Sequence, residues 1–126
     1  MNELLAQHVL YAGTDDVVAF VDVYNNARQL VRPDEAFGEA VDAVRWLVTG
    51  QLAGLGAVDE RGEWRPAPGT LDQQLDELTA GYRQDPSGEG EGRWMYLYWL
   101  KNTPAGDAVA AELPEKRVED FGVFYG

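Results

Sequence analysis

The stretch Arg93 to Leu113, RWMYLYWLKNTPAGDAVAAEL, decides how the chain is read. Trp94, Tyr96, Tyr98 and Leu100 alternate with Met95, Leu97 and Trp99. A β-strand sends successive side chains to opposite faces. The run therefore predicts a strand over 94–100 that is apolar on both sides, where a half-solvated strand would alternate apolar with polar residues. Both faces then need cover, from other elements or from a partner. At Asn102-Thr103-Pro104 the pattern changes. Thr103 suits an N-cap, because its side-chain oxygen can take an orphan backbone N–H, and Pro104 suits the first helical position, where a missing N–H costs nothing. A short helix is expected over Ala105–Leu113, with Val109 and Leu113 on one face and an end near Pro114.

Upstream, Asn2 to Tyr11 reads as a helix with Leu4, Leu5 and Val9 on one side and Gly13 at its end. Val17 to Val21 is a β-rich run, after which Asp22 would N-cap a helix over Val23–Val31; residues 15–31 equally fit one continuous helix. Asp34 is expected to N-cap a long helix from Glu35 to Thr49. There Phe37, Ala40, Val41, Val44, Leu47 and Val48 form a wide apolar stripe. Ala57-Val58 and Trp64-Arg65 flank a polar loop and read as a small hairpin. Thr70 caps a further helix with Leu71, Leu75, Leu78 and Tyr82 in one stripe, and Asp85 to Gly92 is a loop by composition. The tail Val118 to Gly126 is apolar enough to be expected to dock.

An apolar strand running into Leu100-Lys101-Asn102-Thr103-Pro104-Ala105-Gly106 and then an Ala-rich helix resembles the last wing strand and closing helix of winged-helix domains of the MarR or PadR kind. Those often read Leu-Thr-Pro-x-Gly at this point. The resemblance implies an α+β fold, winged-helix-like, with four to five helices and a small antiparallel sheet in one domain over residues 1–126. It implies that the strand near Val17–Val21 pairs with the wing. The chain departs from that pattern by placing a helical insertion at about 70–92, where the wing tip belongs.

Charge restricts function further. Ten Lys and Arg face 22 Asp and Glu, a net charge of −12, and only Lys101 and Lys116 are lysines. Phosphate-binding surfaces are built from clustered Lys and Arg. By the resemblance, the helix Asp34–Thr49 would enter the major groove. Its one basic residue is Arg45, against Asp34, Glu35, Glu39 and Asp42. Arg28, Arg32, Arg45 and Arg93 are the DNA-contacting residues if the chain is instead a DNA-binding transcriptional regulator. The single histidine, His8, and the absence of cysteine leave no catalytic constellation and no metal site to expect, and no cofactor fingerprint is present. Asp15 and Asp16 lack the spacing of an EF-hand loop. No apolar run approaches the ~18 residues of a membrane helix, and an acid stands where a signal peptide wants basic residues, so a cytoplasmic protein is expected.

These readings favour a non-enzymatic, acidic protein-binding module. Its concrete form would be an immunity or inhibitor-type protein covering a basic partner, such as a nucleic-acid-cleaving toxin. The residues expected to meet that partner are Glu35, Glu39, Asp42, Glu89 and Glu91. A homodimer built on the aromatic strand or the tail is a third reading. Trp46, Trp64, Trp94 and Trp99, with Tyr96 and Tyr98, are expected either to fill the core between sheet and helices or to leave one sheet face as a binding surface.

Overall fold

Helix α1 (Glu3–Ala12) starts at Asn2, whose side chain accepts the Leu5 N–H at 3.2 Å, and ends at Gly13. The structure, a computed structural model, describes residues 2–14 and 16–113. Strand β1 (Val18–Ala19) runs directly into α2 (Phe20–Leu30), which resolves the two readings of residues 15–31 in favour of strand plus helix. The helix begins before Asp22, and its N-cap, Ala19, makes no side-chain cap bond. The sheet holds that first turn instead, since the Phe20 N–H donates to the Tyr98 carbonyl at 3.0 Å.

Helix α3 (Ala36–Thr49) buries Phe37, Ala40, Val44 and Leu47, as their spacing requires. Asp34 does not cap it: Glu35 holds that position without a side-chain bond, and Asp34 lies 3.5 Å from Arg32. Strands β2 (Ala53–Val58) and β3 (Trp64–Pro66) form the expected hairpin, closed by Asp59 and by Gly62 at φ 80°. Helix α4 (Leu71–Gln84) opens with a reciprocal Thr70–Gln73 capping box and buries Leu75 and Leu78.

The stretch that anchored the sequence reading is divided. Arg93–Tyr96 is one helical turn, α5, and the strand β4 is confined to Trp99–Asn102. Gly92, at φ 61°, starts the turn. Trp94 then points inward: it is 1% exposed, and its indole N–H donates to the Asp85 carbonyl at 2.7 Å. Its ring meets Phe20, Tyr24, Phe37 and Tyr82 edge-on at centroid distances of 6.1, 5.2, 5.9 and 5.2 Å. Tyr96, which a strand would place on the same face as Trp94, is 61% exposed. A short continuous apolar run fits a buried strand or a buried helical segment equally well, and here the aromatic cluster selects the helix.

The helix α6 (Pro104–Ala111) follows Thr103, whose hydroxyl accepts the Gly106 N–H at 3.1 Å. Its buried face is Gly106 and Ala110, and Val109 is exposed. Gly106 sits against backbone: a Cβ there would lie 1.9 Å from the Leu52 carbonyl oxygen. Pro114 and the tail 118–126, with its expected docking, lie outside the described residues.

The sheet is antiparallel with strand order β1-β4-β2-β3. Val18, Leu100 and Leu55 form a row across it and join the core with α1, α2 and α3. The other face carries Gly54, Gly56, Trp64 and Trp99. Trp64 lies so close over Gly56 that a Cβ there would be 2.4 Å from the indole. Of the aromatic residues expected to fill the core, Trp94 and Tyr98 do so, Trp64 and Trp99 are half-buried, and Trp46 and Tyr96 are exposed. The class is therefore α+β, with six helices among the described residues rather than four to five, and α4 inserted between β3 and β4.

Candidate functional site

Opposite its buried stripe, α3 presents a second one. Glu35, Glu39, Asp42 and Trp46 stand at i, i+4, i+7 and i+11, a spacing that lines one helical face. Trp46 is 48% exposed. The indole N–H groups of the other three tryptophans donate to backbone carbonyls: Trp64 to Trp99, Trp94 to Asp85 and Trp99 to Tyr96. That of Trp46 makes no hydrogen bond among the described residues. A buried indole normally satisfies its N–H within the fold, and an indole at an interface satisfies it on a partner. Beside Trp46 lies an open hollow of about 490 Å³ lined by Asp42, Arg45, Trp46, Thr49 and Gly50.

Arg45, the one cation of α3, turns away toward α4 and donates to Asp72 at 2.5 Å. That hydrogen bond, with the charges of Asp72, Asp42 and Asp76, holds the guanidinium pKa above its ordinary value. Asp72 thus holds the guanidinium directly, and Asp42 and Asp76 add their charge to it. Glu35 and Asp42 are exposed; Glu39 is half-buried, and its Oε2 is shielded from solvent with no hydrogen bond among the described residues. Buried polar atoms in native proteins are nearly always paired, so this oxygen is an acceptor in want of a donor.

Glu89 and Glu91 lie elsewhere. They belong to the loop between α4 and α5, where the Asp85 carboxylate accepts the Gly90 and Gly92 N–H groups at 3.1 and 3.0 Å. Glu91 pairs with Arg93 at 2.6 Å and lines a separate hollow of about 370 Å³ that shares no residue with the one at Trp46. The structure therefore groups Glu35, Glu39 and Asp42 on one helix and leaves Glu89 and Glu91 apart from them.

The four arginines of the DNA-binding alternative are spread over α2, the turn before α3, α3 and α5. Arg28 stacks over Tyr24 at 5.7 Å, and Arg32, Arg45 and Arg93 each face a carboxylate, of Asp34, Asp72 and Glu91. Exposed pairs of this kind add little stability, but each cancels the positive field that a phosphate would meet. His8 is half-buried, and burial lowers its pKa; with Val17, Val18, Asp22 and Asn26 it borders a small hollow of about 300 Å³. Among the described residues no group of three or more His, Cys, Asp or Glu is placed to hold a metal ion, and no helix is long and apolar enough to cross a membrane.

Sequence reasoning missed Trp46, Asp72 and Asp76 as members of this face. Trp46 was legible: its i+4 spacing from Asp42 puts it on the acidic stripe and off the apolar one. Asp72 was not, since it lies 27 residues from the Arg45 it meets. Comparison of the chain with family models, curated proteins and solved structures gave no match.

Proposed function

We propose that this chain is a winged-helix-like, non-enzymatic module that binds a basic protein through the exposed side of α3, as an immunity or inhibitor-type protein covers a nucleic-acid-cleaving toxin in the cytoplasm. The winged-helix reading draws on element order: α1, β1, α2, α3, β2, β3, then, past the inserted α4 and the α5 turn, the strand β4 that pairs with β1 and leads into the Thr103-Pro104 helix. Fold alone does not assign function. The site carries the functional part. A DNA reader needs Arg, Lys, Asn or Gln on its groove-facing helix. In that place α3 offers Glu35, Glu39, Asp42 and a half-exposed tryptophan. An acidic field of this kind steers a basic partner and repels nucleic acid, and a half-exposed Trp is the residue type that most often dominates binding energy. Glu89 and Glu91 would then add to the field at a distance.

Capture from lysate on immobilised protein tests this, with nuclease-treated and untreated samples run beside the triple variant Glu35→Lys, Glu39→Lys, Asp42→Lys. The expected result is a stoichiometric protein that survives nuclease, elutes with salt and is lost from the triple variant. Recovery of nucleic acid that the triple variant holds more tightly would favour the regulator reading. A protein retained equally by both forms would remove α3 as the interface.

A further inference from the structure

The reading of α3 as a protein-binding face leaves open what Trp46 recognises. Resting on that reading, we infer that the hollow beside Trp46 receives an arginine side chain of the partner, its guanidinium stacked on the indole and paired with Asp42 and Asp72, and that Arg45 is a placeholder which the incoming arginine displaces. Four observations support it. Trp46 is the one tryptophan of the four whose N–H is not committed within the described fold, and it is 48% exposed. The hollow at its edge, about 490 Å³, is ample for a guanidinium and its stem. Asp42, Asp72 and Asp76 act on a single resident cation, so the cluster retains an excess of negative charge after Arg45 is counted. Arg45 itself demonstrates that Asp72 is placed to accept a guanidinium, at 2.5 Å.

The chemistry distinguishes arginine from lysine. A guanidinium is planar and weakly hydrated and presents a rigid fork of donors. It stacks on an aromatic face while pairing with carboxylates in its own plane, whereas an ammonium is a compact, strongly hydrated charge. Displacement of Arg45 is inexpensive because both members of its pair are open to solvent, with side chains 47% and 77% exposed. Once released, Arg45 is free to meet an acid on the partner, which offsets the pair it gives up at Asp72.

The test uses the whole chain, labelled with 15N, titrated with acetylated hexa-arginine amide and with hexa-lysine amide at equal ionic strength. The Trp46 indole N–H cross-peak, assigned by its loss in Trp46→Phe, reports the site together with the backbone amides of Asp42, Thr49 and Gly50, which serve alone where Trp46 is replaced; the other three indole peaks report that each variant is folded. Hexa-arginine should bind about fivefold more tightly than hexa-lysine, from stacking on an exposed indole. Trp46→Ala should erase that preference and weaken hexa-arginine about tenfold, the loss expected of an aromatic anchor. Arg45→Gln should tighten hexa-arginine about threefold by freeing Asp72. Equal binding of both peptides, unchanged by Trp46→Ala, would overturn the arginine seat and leave the acidic face standing. Weaker binding in Arg45→Gln would overturn the placeholder. No shift at α3 with either peptide would overturn this inference and the proposed function together.

Discussion

Replacing Trp94 and Tyr96 in parallel tests the division of the stretch 93–102 into a helical turn and a strand. In a strand the two residues would share a face and cost similar amounts to remove. In the structure they differ sharply: Trp94 is 1% exposed at the centre of four aromatic contacts, and Tyr96 is 61% exposed. Trp94→Ala should destabilise by about 3–5 kcal/mol through the cavity it leaves, with about 1 kcal/mol more for the donor withdrawn from the Asp85 carbonyl. For a domain of ~5–15 kcal/mol total stability this approaches unfolding. Tyr96→Ala loses a tilted contact with Trp99 at 5.9 Å, of the order of 0.5–1 kcal/mol. Urea unfolding reads both. With a slope of ~1–3 kcal/mol per M, the Trp94 variant should shift the midpoint by about 2 M and the Tyr96 variant by well under 1 M. Trp94→Phe keeps the protein measurable if the alanine variant does not fold, at a cost of about 1–2 kcal/mol. Equal losses for Trp94 and Tyr96 would refute the helical turn and restore a continuous strand.

Two glycines should respond to alanine with opposite sign. Gly106→Ala drives a Cβ into the Leu52 carbonyl and should lower stability by about 1–3 kcal/mol; Gly38→Ala, in open space within α3, should raise it by about 0.5–1 kcal/mol, and thermal unfolding of both variants checks the pair. Tyr98 donates to Glu77, and burial, then that bond, pushes its pKa up to about 12 from an ordinary 10. Because the folded value is the higher, the stabilisation is complete below pH 10 and is lost as pH rises toward 12. Tyr98→Phe should therefore flatten the stability profile in that alkaline window, and an unchanged profile would remove Tyr98 as its source.

Much of the fold could be read from local signals. Thr70 and Thr103 announce their helices because an N-cap bond spans three residues, and both bonds are present. The α3 and α4 stripes were legible because burial follows helical period. What failed depended on distant partners. The start of α2 is set by a bond from Phe20 to Tyr98, and the fate of Trp94 by rings from α2, α3 and α4. The candidate site divides in the same way. Glu35, Glu39, Asp42 and Trp46 share a helix, so their common face follows from spacing alone. The neutralisation of Arg45 needed Asp72 on another helix, and only the packed chain brings them together.

The association rate of the captured partner, followed against ionic strength for the native chain and for the Glu35→Lys, Glu39→Lys, Asp42→Lys variant, tests the central claim most directly. Between about 0.01 M and about 1 M salt the Debye length falls from ~30 to ~3 Å. Binding through the acidic face of α3 predicts a rate that drops by at least about tenfold over that range, and a variant whose rate is already low and nearly flat. A rate indifferent to both salt and charge reversal would contradict the account.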